Sequence, residues 1–329
     1  MVMSPRPATP AAAVHPRREL IGLAVGAVLA SAATVLVLGN TSTLEAAPIA
    51  SPATSTASPA EQIYAKAAPG DCLTWSTPTA TDLASTDCAS PHTFEVAADV
   101  DLRSQPGPEF APGGALPGAV LLTQLRDTVC APAVDTYLQG RLDPHGLFSV
   151  GLIDPGEAGW RAGQRSVRCG LQHVGRSGEQ FPIRGRVGQL DQSDVAPTGS
   201  CQNIASGLPT DPVDCAQPHA SEVISVVDLT QKFSADYPST ADQDAYLDDT
   251  CRAAADAVLG FPDAATTKGL TVFWNNVAPE SWAAGSHRVN CKVGKQLPGG
   301  GGFAPMAGVA RAAPAVPAST TPPPTTTGR

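Results

Sequence analysis

Eight cysteines stand in this chain in an order that is written twice. Gly70-Asp71-Cys72 returns as Gly199-Ser200-Cys201, Cys88 as Cys215, Cys130 as Cys251, and Cys169 as Cys291. Longer phrases surround two of the pairs. CASPHTFEV, from Cys88, matches CAQPHASEV, from Cys215, at Cys, Ala, Pro, His, Glu and Val. WRAGQRSVRC, from Trp160, matches WAAGSHRVNC, from Trp282, with Trp, Ala, Gly, Val and Cys in step. Each copy spans roughly a hundred residues, an ordinary size for one domain. Two copies read as tandem domains, because a solenoid needs about three stacked units or more.

All eight cysteines follow an uncharged run, Leu20 to Gly39. An even set in an exported region reads as disulfides. None of the spacings suits zinc, so neither a metal nor a cofactor is expected. Each domain allows three connectivities. The economical one is Cys72–Cys88 with Cys130–Cys169, repeated as Cys201–Cys215 with Cys251–Cys291. The first bridge of each pair closes a short loop and the second staples a helix to a sheet.

Periodicity supplies the elements. Phe94, Val96, Ala98 and Val100 alternate with Glu95 and Asp99, and Val223, Ser225, Val227 and Leu229 alternate with Glu222, Ile224, Val226 and Asp228, so both stretches read as strands. Leu247, Cys251, Ala254 and Val258 recur at helical spacing, with a capping box expected at Thr240 and Gln243 and a stop at Gly260. Leu125, Val129, Ala133 and Tyr137 have similar phase, but Pro132 should break, kink or start that helix. LFSVGLI and LTVFWNN read as strands just upstream of the fourth cysteines. The fold class is α+β: two small disulfide-stapled domains, each a small sheet with one main helix.

The run LIGLAVGAVLASAATVLVLG is long enough to cross a hydrocarbon core as a helix. Arg17 and Arg18 before it and Glu45 after it orient the N-terminus to the cytoplasm and the bulk outside, at the plasma membrane. A cleaved signal peptide is the alternative. The organisation follows: 1–19 cytoplasmic, 20–39 a single-pass signal-anchor, 40–68 a disordered stalk, 69–175 the first domain, 176–198 a linker, 199–296 the second domain, and 297–329 a disordered Gly/Pro/Thr-rich tail. The chain carries a net charge of −9. An acidic body repels phosphate backbones, so nucleic acid is not an expected partner.

The repeated His92 and Glu95, with His219 and Glu222, invite a catalytic or metal reading. On a strand, however, residues an odd number apart point to opposite faces and share a site only if a turn intervenes. Trp160 and Trp282 suit either a sugar platform or a core anchor. These six residues are the candidate binding surface. The chain has no G-x-S-x-G, H-E-x-x-H, Walker A or S-x-x-K motif, and no enzyme is expected.

Taken together, G-[DS]-C, C-A-x-P-H-x-x-E-V, a helical Cys and the Trp-to-Cys phrase resemble the septum-formation domain family of actinobacterial membrane-anchored proteins, in two copies over about 70–171 and 199–293. The resemblance implies a role at the division septum or cell envelope and brings no catalytic residues. A non-enzymatic module that contacts envelope or division proteins is the expected function. Binding of wall polymer or a small ligand is the alternative, and an enzyme with an unrecognised site comes third.

Overall fold

A computed structural model describes residues 57–310, apart from 235. The expected membrane segment 20–39 lies outside them; among the described residues no helix is long and apolar enough to cross a membrane.

The first half opens with a helix, α1 (Pro59–Lys66), inside the segment expected to be a disordered stalk. Its start is a capping box. Ser58 Oγ accepts from the Glu61 N–H and the Glu61 carboxylate accepts from the Ser58 N–H, with Pro59 in the first turn. Strands β1 (Cys72–Thr74), β2 (Ala84–Thr86) and β3 (Phe94–Asp101) follow. The chain then crosses one face of the sheet as α2 (Ala119–Leu125), a wide π-turn at Arg126–Cys130 and α3 (Ala131–Tyr137). Pro132 explains the π-turn. It cannot donate to the preceding turn, and its ring needs the room that a wider turn gives. Strand β4 (Ser149–Ile153), α4 (Gly156–Arg161), β5 (Ser166–Val174) and β6 (Gln180–Phe181) complete the half. The antiparallel sheet runs β2-β1-β3-β5-β4, with β6 added beside β5.

The second half has the same strand order. Its elements are β7 (Cys201–Ala205), β8 (Leu208–Val213), β9 (Ser221–Asp228), α5 (Thr240–Leu259), α6 (Ala264–Thr267), β10 (Thr271–Phe273), α7 (Pro279–Ala284), β11 (Arg288–Gln296) and β12 (Phe303–Ala304). The sheet runs β8-β7-β9-β11-β10, with β12 beside β11. Here the helix is unbroken over 20 residues and stops at Gly260, whose φ of 99° is left-handed. Its N-cap is Ser239, with Asp242 three residues on, one residue earlier than the expected Thr240–Gln243 box. Gln243 is instead buried, bonding to the Val277 N–H and C=O and to the Pro238 C=O.

Helix and sheet enclose matching inner cores. Leu125, Cys130, Val134 and Leu138 meet Trp160, Val167, Cys169 and Leu171 in the first half. Leu247, Cys251, Ala255 and Leu259 meet Trp282, Val289, Cys291 and Val293 in the second. The disulfides are Cys72–Cys88, Cys130–Cys169, Cys201–Cys215 and Cys251–Cys291.

The alternation expected for β3 fails at one point. The pairing of β3 with β5 shifts between Val96 and Ala98, and that of β9 with β11 shifts between Val223 and Ser225, so each central strand carries one extra residue. Phe94 and Val96 therefore pack on the outer face with Tyr64, Leu73 and Leu83, while Ala97, Ala98 and Val100 turn to the inner core. A further difference lies at the C-terminal edges. Residues 180–183 and 303–306, expected in a linker and a disordered tail, pair with the two sheets, and Val187–Gln189 forms a short 3-10 turn after the first of them.

Candidate functional site

The doubled phrase folds into the same corner in each half. Pro91-His92 precedes β3, a bend at Thr93 separates them from the strand, and Ala220 bends the same way after His219. That bend brings His92 and Glu95 together, which strict alternation had ruled out. Ligand-type atoms of Cys72, His92 and Glu95 lie within 4.8 Å of one another. The Cys72 sulfur is bonded to Cys88, so no thiolate is offered. Glu95 is already engaged, accepting from the Tyr137 hydroxyl and the Val187 N–H at 2.7 Å each. Burial, and then Glu95, pushes the Tyr137 phenol up to about 12. The His92 Nδ1–H donates to the Ser90 C=O at 3.0 Å, and His219 does the same to Gln217 at 2.8 Å.

The corner holds the last segment of its own half. His92 and Ile183 exchange both backbone bonds, the Gly185 N–H donates to the Cys88 C=O, and the Val187 N–H donates to the Glu95 carboxylate. In the second half His219 pairs with Met306, the Gly308 N–H donates to the Cys215 C=O, and the Ala310 N–H donates to the Glu222 carboxylate. Cys, His and Glu are thus three rungs of one docking register. His92, Glu95, His219 and Glu222 are all at most 1% exposed.

The tryptophans are equally interior, Trp160 at 1% and Trp282 at 8%. The Ala-Gly that follows each Trp ends a short helix, with Gly163 and Gly285 left-handed at φ 92° and 100°. Arg165 then folds back over Trp160, its guanidinium 4.4 Å from the ring centroid, and donates to the Trp160 C=O at 2.6 Å. His287 occupies the matching place, its ring 4.3 Å from that of Trp282 and Nε2 3.2 Å from the Trp282 C=O. Arg165 also reaches the carbonyls of Ala111 and Gly114, pinning the longer loop of the first half. All six residues of the candidate binding surface are interior, and they build the fold.

The halves meet along a set of polar ties that the sequence did not announce. Asp211 on β8 accepts from the N–H groups of Arg176 and Ser177 at 2.6 and 2.7 Å. Burial pushes its carboxyl up, but these bonds outweigh it and hold the group below the usual range. Gly175 has to be glycine there, because a Cβ would stand 2.4 Å from the Asp211 carboxylate. Ser281 on α7 donates to buried Asp143 at 2.7 Å. Asn290 on β11 takes the Ala196 N–H at 2.8 Å and gives to the Ala196 C=O at 2.9 Å. Between these ties lies a cleft of about 730 Å³. Phe181, Phe273, Phe303, Leu208, His173 and Lys292 are among its walls. A larger hollow of about 1040 Å³ beside α1 is lined by Tyr64, Trp75, Glu61, Asp154 and Glu157 and by no Lys or Arg.

The family model for septum formation matches residues 69–291, the stretch that holds all eight cysteines and both corners. The chain belongs to the septum-formation family. Two Mycobacterium tuberculosis proteins, the uncharacterized membrane proteins Rv3835 (strain H37Rv) and MT3943 (strain CDC 1551), are each 36% identical to it over 304 residues, which is 90% of this chain and 67% of each relative. No solved structure is a significant match. Family and relatives together describe a protein of the cell envelope.

Proposed function

We propose that this chain is a non-enzymatic, membrane-anchored module whose extracytoplasmic portion contacts division or wall-assembly proteins during septum formation. The family match over 69–291 is the observation that carries this reading. Three others support it. The run 20–39 suits a single-pass anchor with the N-terminus in the cytoplasm. Four disulfides suit an oxidising compartment. The residues that most resembled catalytic groups, His92, Glu95, His219 and Glu222, are occupied in holding backbone. The matching strand orders and bridges favour descent of the two halves from one duplicated domain.

The test is location. An export-competent fluorophore fused to the C-terminus is imaged in growing cells through division. Enrichment at midcell before constriction is expected. An even signal around the envelope refutes the septal role.

A further inference from the structure

The two sheets share their inner faces and differ on their outer faces at three positions that touch. In the first half Phe94 lies over two glycines that pair across β4 and β5, Gly151 and Gly170. A Cβ at Gly151 would stand 2.6 Å from the Phe94 ring, and one at Gly170 only 2.4 Å from it. The ring therefore seals the middle of the sheet, backed by Tyr64, Leu73 and Leu83. In the second half the register puts Ser221 where Phe94 stands, and Phe273, paired with Lys292, where the two glycines stand. The aromatic has moved to the edge strand. A lysine has entered the middle of the face.

Lys292 is 6% exposed. Among the described residues its ammonium has no hydrogen bond and no ion pair, and it sits 5.2 Å from the centroid of the Phe273 ring. The charges around it are Asp194 and Arg176, which bridge each other at 3.6 Å. A buried ammonium without a partner is costly. The fold does not require it, since the matching position of the first half is Gly170. Lys292 opens onto the cleft between the halves, whose volume lies within the range of small-molecule sites. The apolar walls Phe273, Phe303 and Leu208 lie beside it. Asp194, Asp211 and Arg176 also line the cleft. Arg176 is paired with Asp194 and Asp211 is taken by backbone N–H groups, which leaves Lys292, among the described residues, as the one charge there to match a single acid group.

We propose that the cleft between the halves binds a small, singly charged anion on an aromatic or apolar body, its acid group paired with Lys292 and its body against Phe273, Phe303 and Leu208. Carboxylates and phosphodiesters share this chemistry. The site does not depend on the septal reading, and every contact named for the ligand comes from the second half.

The test is calorimetric titration of the purified full-length chain with three probes of similar aromatic body: N-acetylphenylalanine, its uncharged amide, and diphenyl phosphate. Saturable one-to-one binding of at least one acid is expected, with the amide about tenfold weaker or worse, which is the loss of one charge-assisted contact. The acid that binds better identifies the source as carboxylate or phosphodiester. Lys292→Met should lose that binding while the chain stays folded, and Lys292→Arg should keep it within a few-fold. Leu208 is 57% exposed at the mouth of the cleft. Leu208→Glu therefore leaves the core untouched and should weaken the acid by repulsion. The proposal is overturned if neither acid binds, if the amide binds as well as the acids, or if both Lys292→Met and Leu208→Glu bind as the wild type does.

Discussion

Replacing Cys251 and Cys291 together by alanine should destabilise the second half more than replacing Cys201 and Cys215. The long bridge closes 40 residues and the short one 14. Loop-closure entropy gives about 4 kcal/mol for the first and about 3 kcal/mol for the second, a gap of roughly 1 kcal/mol that grows with the logarithm of loop length. Packing widens the gap. Both sulfurs of the long bridge lie in the core with Leu247, Ala255, Val289 and Val293, whereas Cys215 of the short bridge is partly exposed. The long-bridge variant then leaves two buried voids and the short-bridge variant one, at Cys201, so the cavity cost is larger on the long-bridge side. Natural domains are stable by roughly 5–15 kcal/mol, so the long-bridge variant should be marginal at growth temperature and still measurable in the cold. Urea unfolding followed by hydrogen exchange of backbone amides in 199–296 reads the second half apart from the first. A long-bridge loss smaller than the short-bridge loss, or below about 1 kcal/mol, would refute the argument that this bridge is the staple between helix and sheet.

Other substitutions test the remaining assignments. Glu95→Ala orphans the Tyr137 hydroxyl and the Val187 N–H, both in bonds of 2.7 Å, and should cost roughly 2–4 kcal/mol in urea unfolding, with Glu95→Gln in between. Trp160→Ala should cost about 3–5 kcal/mol as a core deletion, whereas a surface sugar platform would change stability by less than about 0.5 kcal/mol. Lys292→Met should raise stability at neutral pH by roughly 1–3 kcal/mol by removing a buried charge. Burial holds the Lys292 amine below its ordinary 10.5, so between that lowered value and 10.5 the unfolded chain binds more protons and wild-type stability rises with pH. Urea midpoints across that window should show the rise in the wild type and its absence in Lys292→Met. Asp211→Ala frees the Arg176 and Ser177 N–H groups and should speed proteolytic cleavage within 176–198 several-fold, read by mass spectrometry against the wild type.

Much of the fold is legible because its signals are covalent or periodic. Cysteine order lets the two halves be read together, and the strand–helix–strand sequence follows from spacing two and spacing three-to-four. The misreadings share a cause: one residue of slip reverses a pattern. An extra residue at Ala97 sends Ala98 to the inner face although Phe94 and Val96 face outward. A bend at Thr93 turns an odd spacing into a meeting of His92 and Glu95. Ser239 caps the helix one residue ahead of Thr240 because its hydroxyl, and not that of Thr240, reaches an N–H of the first turn. The helix at Pro59 had a readable start in Ser58-Pro59-Ala60-Glu61, but it was masked by the Ala, Ser and Thr around it. Strands of two residues, such as Gln180–Phe181 and Phe303–Ala304, leave no period to detect. The cleft was hidden for another reason. Its walls come from segments a hundred residues apart, and no local pattern encodes that they meet.

The places where the halves agree and differ bear on what the family does. Agreement concentrates on the inner faces and the corners: the helix–sheet bridges, the Trp with its overlying Arg165 or His287, and the His–Glu register that holds each closing segment. Most contacts of these positions serve the fold, although the Nε2 atoms of His92 and His219 and the Trp160 Nε1 are buried without a hydrogen-bond partner among the described residues. Difference concentrates on the outer faces. There the first half spends Arg168 on Asp99 and on the ring of Tyr64, and so holds α1 against the sheet. The second half has Asn290 at the matching position, spends it on the Ala196 backbone, and leaves Lys292 beside a cleft. One outer face is thus closed by its own helix and the other is opened toward its neighbour. A module that needed only two copies of a fold would gain nothing from a largely buried lysine that, among the described residues, has no carboxylate partner. The asymmetry is what the proposed anion site at the junction of the halves rests on, while the duplicated phrases hold the closing segment of each half in place.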